Sequence, residues 1–405
     1  MNKRVIVLLF SIAFMARLGL LVSFKGTGVA EQMDAKDYHA VASSIIAGRG
    51  FVNASGQPTE TRPPAYPLFL AGIYAVAGNN DFIVKLAQCL LDSFSVLGIY
   101  LIACYTLGKR VAFGAGVMAA VYPPMILYSN LRLSETLFTF LLVVEILLLI
   151  RWVATKESSY AIAAGVSHGA AVLCRSTVMF FPFFLLVLVL ALKERKTLLK
   201  GFVFYVIISS CIVSLWTIRN YVVFREFVPV NRGGGYLMWF ALQKDAWQGD
   251  KLVELSPVRE YPDLEHLPMV AWDNILAKRV MQFAFHNPAS YMRSMARNEA
   301  WFWYLPVGKV LLNERSHLLA TLYQAAHLFF LLGAVLGLVW LPRGSYYALS
   351  PLLLLLFYAG AMHSIVLPVP RYRLPFDFML ILLCANGSLI LTEKFWRQRA
   401  GNIHS

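Results

Sequence analysis

Leu133-Ser134-Glu135-Thr136-Leu137-Phe138-Thr139-Phe140-Leu141-Leu142-Val143-Val144-Glu145-Ile146-Leu147-Leu148-Leu149-Ile150-Arg151-Trp152-Val153 is the stretch that decides the fold class. Wound as a helix at about 1.5 Å per residue, it is roughly as long as a hydrocarbon core is thick, about 30 Å. Between Glu135 and Arg151 its one ionisable residue is Glu145. Apolar runs of the same kind lie near 5–24, 83–106, 111–129, 160–174, 178–193, 200–218, 317–341, 346–366 and 375–392, which makes ten with this one. Composition agrees: 59% of the residues are hydrophobic and 14% charged, whereas a soluble domain carries about 25% charged residues. The mean hydropathy is +0.62. These observations predict an all-α polytopic membrane protein.

Charge sets the expected topology. The opening Met1-Asn2-Lys3-Arg4 and the apolar run behind it resemble a signal peptide. Arg17 interrupts that run and no A-x-A site follows, so it reads as an uncleaved first span. With ten spans and a cytoplasmic N-terminus, Lys109-Arg110, Arg151 with Lys156, Lys193 to Lys196, Arg343, and Lys394 with Arg397 and Arg399 all fall inside. That is the positive-inside pattern, and it places both termini in the cytoplasm. The apolar stretch 66–77 is too short to span and would invert most of this pattern if it did. It is expected as an interfacial helix on the outer surface. Two large loops then face outward, 25–82 and 219–316. The chain divides into an N-terminal membrane module (1–218), an outer loop or lid (219–316) and C-terminal membrane helices with a cytoplasmic tail (317–405). Within the lid, 271–285 has helical periodicity.

The net charge of +14 suits both topology signals and phosphate ligands. Nucleic acid is not an expected partner, because no soluble basic domain is present to hold it. The cysteines Cys89, Cys104, Cys174, Cys211 and Cys384 all lie in apolar runs without C-x-x-C spacing, so they read as small hydrophobes.

The chemistry-bearing residues gather at the outer ends of the spans. Asp34, Asp37 and Tyr38 are spaced i, i+3, i+4 and share one helical face. The competing reading of Asp34 is capping of a helix N-terminus. Arg62 precedes Pro63-Pro64, which open the 66–77 helix with Tyr66 near its start. A cation there opposes the helix dipole unless an anion offsets it, and guanidinium suits phosphate. The competing reading is an arginine snorkelling to lipid headgroups. Ser134-Glu135 opens the decisive span, and capping competes with function there too. Trp216 with Arg219-Asn220-Tyr221 is followed by Gly233-Gly234-Gly235, whose N–H groups could form an anion nest. Arg371-Tyr372-Arg373 enters the last span. Arg62, Arg175, Arg219, Arg371 and Arg373 thus reach the outer surface from different segments, which suggests a phosphate pocket at headgroup level.

Taken in order, Asp34 with Tyr38, Arg62-Pro63-Pro64 through Pro67, Ser134-Glu135, Trp216 with Arg219-Asn220-Tyr221, and Arg371-Tyr372-Arg373-Leu374-Pro375 resemble the GT-C glycosyltransferases. This is the superfamily of the dolichyl-phosphate-mannose protein mannosyltransferases and the bacterial aminoarabinose-transferase-like enzymes. The resemblance implies a GT-C-type bundle with outward-facing interfacial helices. It implies an inverting transfer of a sugar from a polyprenyl-phosphate carrier to a lipid, envelope glycan or protein acceptor. It makes Asp34 the catalytic base and Arg62 a ligand of the carrier phosphate, with Arg219, Arg371 and Arg373 beside it. Asp37, Tyr38, Tyr66, Glu135, Arg175 and Tyr372 are expected to line the substrate pocket. Relatives often carry Asp-Glu where this chain has Asp34-Ala35.

The implied chemistry fits the inventory. A lipid phosphate leaves as a stable anion, so a single carboxylate to deprotonate the acceptor suffices. No cofactor is required on this reading, no metal-binding motif stands out, and a divalent cation is left open. The implied location is a bacterial inner membrane, with the site facing the periplasm. The alternative class is a transporter or lipid flippase. Its signature would be ionisable residues at the bilayer midplane, for which Arg17, Asp92, Glu145 and His168 are candidates, though they form no repeat-related pair. A non-catalytic scaffold would need neither Asp34 nor the outward arginines.

Overall fold

The computed structural model describes residues 2–23, 33–243, 247–248, 251–252, 255–267, 269–304 and 317–403. The N-terminal module holds α1 (Lys3–Ser23), α2 (Met33–Ile46), α3 (Ala65–Ala77), α4 (Asp81–Thr106), α5 (Lys109–Ala120), α6 (Pro123–Tyr128), α7 (Glu135–Thr155), α8 (Ser158–Cys174), α9 (Phe181–Ala191) and α10 (Arg195–Phe224). The segment 219–316 holds α11 (Gly234–Leu242), a two-residue strand pair, α12 (Met269–His286) and α13 (Pro288–Tyr304). The C-terminal part holds α14 (His317–Val339), α15 (Ser345–Ile365), the single turn α16 (Pro370–Arg373) and α17 (Asp377–Ile403).

Each expected span overlaps helix among the described residues. Six helical segments among the described residues are long and apolar enough to cross a membrane, and the chain is a multi-pass membrane protein. The 66–77 stretch is the short helix α3, 13 residues long, packed on α2. The run expected at 111–129 is broken. Pro123-Pro124 disfavour helical geometry in the residue before them, so α5 stops and α6 restarts. The break leaves carbonyls of α5 without helical partners. Fully buried Arg17 donates to two of them, to Ala120 O at 2.8 Å and Ala119 O at 3.4 Å, and its Nε meets Asp92 at 2.6 Å.

Helix α10 has 30 residues, about 45 Å of helix against a core of about 30 Å. Trp216, Arg219 and Asn220 lie near its C-terminal end. Helices α7, α8 and α10 pack closely because small residues line the contact. At Gly165 a Cβ would stand 2.7 Å from the Tyr205 carbonyl oxygen. Glu145 ties the three helices together, meeting His168 Nδ1 at 3.0 Å and accepting from the Tyr205 hydroxyl at 2.8 Å.

Part of the 219–316 segment packs against the C-terminal helices. The expected 271–285 helix is present as α12. Helix α13 packs along α15, where Asn298 donates to Ser364 O at 3.0 Å and the Phe302 ring stacks on His363 at 4.4 Å.

Candidate active site

Helix α2 starts at Met33, so Asp34 lies in its first turn and Asp37 and Tyr38 follow on the same face. Burial of Ala35, Tyr38, Val41 and Ala42 fixes which face turns inward. The Asp34 carboxylate bridges two guanidiniums. Oδ1 meets Arg62 Nη2 at 2.5 Å and Oδ2 meets Arg371 Nη1 at 2.7 Å. Arg62 also holds Asp37 through two contacts, 2.8 and 3.1 Å. Arg371 Nε donates to Glu135 Oε1, which also accepts from Arg175 Nη1 at 2.9 Å. Five chain segments thus converge on one network.

Neutral groups complete it. The Ser134 hydroxyl lies 3.3 Å from the Tyr38 hydroxyl and accepts from Arg175 at 3.2 Å. Ser134 makes no side-chain capping bond to α7. The Arg175 guanidinium sits over the Tyr372 ring at 4.8 Å. Tyr66 packs edge-on against Tyr38 at 4.8 Å and donates to Gln88 at 2.6 Å. Gln88 in turn donates to the carbonyls of Ser129 and Leu131, at 3.1 and 2.6 Å, and so fixes the turn that leads into Ser134 and Glu135. Sequence reading missed Gln88. Its one signal is an amide within an apolar span, where an unpaired amide is costly.

The network has depth. The Asp37 side chain is 50% exposed, Asp34 23% and Glu135 0%. Asp34 is therefore partly exposed and held by two guanidiniums, whereas the more exposed Asp37 is held by Arg62. Burial pushes its carboxyl upward, but the fields of Arg371 and Arg62 outweigh that and hold it below the ordinary carboxylate value. Burial pushes the Tyr38 hydroxyl up to about 12, so it keeps its proton and can donate. Asp34, Asp37 and Glu135 balance Arg62, Arg175 and Arg371 in formal charge. Among the described residues, no group of three or more His, Cys, Asp and Glu side chains could hold a metal ion.

Of the residues expected at the site, Asp34, Asp37, Tyr38, Arg62, Tyr66, Glu135, Arg175, Arg371 and Tyr372 come together. Arg219 and Arg373 do not join them. Arg219 donates to the carbonyls of Phe51 and Thr59, each at 3.0 Å, and stacks on Trp216. Arg373 is fully buried, meets Asp377 at 3.0 Å, and donates to the carbonyls of Phe302 and Trp303. The glycine run does form an anion nest, but its occupant is internal. The N–H groups of Gly233, Gly235 and Tyr236 bind the Asp273 carboxylate of α12 at 3.0, 2.5 and 3.1 Å.

Residues 61–218 match the family described as dolichyl-phosphate-mannose-protein mannosyltransferase. A search of curated protein sequences gave no match. Among solved structures, the chain is similar to the archaeal oligosaccharyltransferase AglB from Archaeoglobus fulgidus in complex with an inhibitory peptide and a dolichol-phosphate. Identity is 15% and the TM-score 0.60, over 99% of this chain and 51% of that one. The same enzyme in its apo form gives 15% and 0.57, over 98% and 51%. ArnT from Cupriavidus metallidurans bound to undecaprenyl phosphate gives 15% and 0.47, over 96% and 78%. The chain spans about half the length of the oligosaccharyltransferase. The chain shares the fold of that oligosaccharyltransferase.

Proposed function

From the family match over residues 61–218 and the shared fold, we propose that the chain is a GT-C superfamily member, an inverting glycosyltransferase that moves a sugar from a polyprenyl-phosphate carrier to an acceptor hydroxyl at the outer membrane face. The observation that carries the reading is the Asp34 carboxylate held between Arg62 and Arg371. Two guanidiniums that grip the two oxygens of a carboxylate can grip two oxygens of a phosphate in the same way. The donor phosphate takes over these contacts, and Asp34 is released toward the acceptor. The acceptor oxygen attacks the anomeric carbon and its proton passes to Asp34. The bond from that carbon to the phosphate oxygen breaks, and the electron pair leaves with the lipid phosphate. Arg62 and Arg371 stabilise the charge that develops there. Glu135, bound to Arg371 and Arg175, keeps the deeper guanidiniums in place.

The acceptor class on this reading is a lipid, an envelope glycan or a protein. The setting is a bacterial inner membrane, with the site on the periplasmic side and both termini in the cytoplasm. No resident metal is assigned to the chemistry. The test is a transfer assay in membranes with a panel of polyprenyl-phosphate sugars and membrane extract as acceptor, at matched expression of wild type, Asp34→Asn and Arg62→Ala. Transfer by wild type that is lost in Asp34→Asn supports the reading. Transfer unchanged in Asp34→Asn removes Asp34 as the base.

A further inference from the structure

Arg62 stands at the end of a small hairpin. Gly50 and Gly56 have positive φ, Val52 bridges Pro58, and Asn53 N–H donates to Gln57 O at 2.8 Å. The hairpin belongs to the first outer loop, but its fixings come from the other end of the module. The Arg219 fork on α10 donates to Phe51 O on one arm and Thr59 O on the other. Its guanidinium lies over the Trp216 and Phe51 rings, and those rings meet edge-on at 4.7 Å. One residue beyond Thr59, the buried Glu60 pairs with Arg232 Nε at 3.2 Å, and Arg232 N–H donates to Glu60 O at 3.3 Å. Thr61 follows, held by Thr59 through Oγ1, and then Arg62.

The chain returning from α10 is pinned in its turn. Trp216 and Asn220 donate to Val230 O at 2.8 and 3.2 Å, and Thr217 donates to Pro229 O at 2.8 Å. Arg232 is therefore fixed relative to α10, and Asp273 fixes the residues just after it. Two independent grips, Arg219 on Thr59 and Arg232 on Glu60, close just before Arg62. Isolated buried ion pairs are weak evidence for stability. What these grips do supply is an ordered presentation of Arg62, which a glycine-bearing loop would otherwise leave to be ordered at the expense of binding.

We infer that Arg219 and the Glu60–Arg232 pair are positioning residues for Arg62, fixing the 50–60 hairpin so that the Arg62 guanidinium is presented to the donor phosphate. This rests on the proposed role of Arg62. Arg219 acts through the hairpin and not by contact with the phosphate.

The experiment measures undecaprenyl phosphate binding to the purified full-length chain by native mass spectrometry. Variants are Arg62→Ala, Arg219→Ala, Arg219→Lys, Glu60→Gln, and Arg219→Ala combined with Arg62→Ala. Hydrogen exchange over α7 and α8 checks that each is folded. Arg219→Ala is expected to weaken binding about tenfold, a typical size for coupling within one hydrogen-bonded network. Arg219→Lys recovers only part of this, since an ammonium cannot reproduce the planar fork. Glu60→Gln, nearly isosteric, weakens binding in the same direction. The double variant binds no more weakly than Arg62→Ala alone. Wild-type binding in Arg219→Ala and Glu60→Gln, with Arg62→Ala impaired, overturns the inference and leaves the functional reading standing. Losses that add in the double variant overturn it as well, because Arg219 then acts apart from Arg62. Binding untouched by Arg62→Ala removes the role of Arg62 and the inference with it.

Discussion

Asp34 is a carboxylate of the site that is partly exposed and held between two guanidiniums. Replacing it with Asn keeps the shape and removes the proton acceptor. Transfer is expected to fall by about 10²–10⁴, the usual worth of a positioned base, while undecaprenyl phosphate still binds. A pH profile tests the proposed exchange of partners. In the free protein, Arg371 and Arg62 hold Asp34 below its ordinary value of 3.8. Asp34 is then ionised at all higher pH, and the acid limb of kcat/KM, which reports the free enzyme, lies below that value. A bound phosphate occupies the guanidiniums and adds its own negative charge, which favours protonated Asp34. The acid limb of kcat is therefore expected at higher pH than that of kcat/KM, and coincident limbs would count against the exchange. Most of this site was legible in the sequence, because each residue belongs to a short outward motif. The exceptions have geometric reasons. Arg371 and Arg373 sit two positions apart, about 200° around a helix, so they cannot face the same way. Sequence alone does not say which one turns toward Asp34. Arg219 looked like a phosphate ligand because the carbonyls it binds, on Phe51 and Thr59, lie far away in the chain.

Helix positions were readable wherever an apolar run had a clean edge, and less so where proline acted from within. The break ahead of Pro123-Pro124 could have been anticipated from residue type, yet its consequence could not. It creates the carbonyl acceptors that make a buried Arg17 tolerable. The same holds for Glu145 and His168, which as isolated midplane charges suggested transport. In the structure they meet each other and Tyr205 across α7, α8 and α10. Close approach of these helices depends on Gly165, because a Cβ there meets Tyr205 backbone rather than a flexible side chain. Gly165→Ala is expected to cost about 1–3 kcal/mol through overpacking, seen as a lowered Tm in detergent. Gly72→Ala, where a Cβ meets nothing within 4 Å, is the control and leaves Tm unchanged or raised. Equal Tm values for the two variants would mean that the α8–α10 contact relaxes freely.

At the scale of the whole molecule, the site works only if its contributors share one side of the membrane. Asp34, Arg62, Glu135, Arg175 and Arg371 meet in three dimensions. Meanwhile Lys109-Arg110, Lys156 with Glu194, and Arg343 mark the opposite ends of their helices. The basic clusters and the folded site thus lie at opposite ends of their helices, although they draw on different residues. On the proposed reading Arg62 and Arg371 stabilise the departing phosphate, so transfer is expected to persist in excess EDTA. Loss on chelation, restored by one divalent cation, would show that arginine electrostatics alone are insufficient. Orientation itself can be measured in a variant lacking Cys89, Cys104, Cys174, Cys211 and Cys384. Single cysteines at Ser55 and Gln57 on the exposed hairpin, and at Lys109 and Glu157 at the far helix ends, are each exposed enough to react. In intact cells a membrane-impermeant maleimide is expected to label Ser55→Cys and Gln57→Cys, and to reach Lys109→Cys and Glu157→Cys only after permeabilisation. The reverse pattern would put Asp34 and Arg62 on the cytoplasmic face. A carrier presented at the outer leaflet could not then reach them, and the proposed direction of transfer would fail even if the chemistry held.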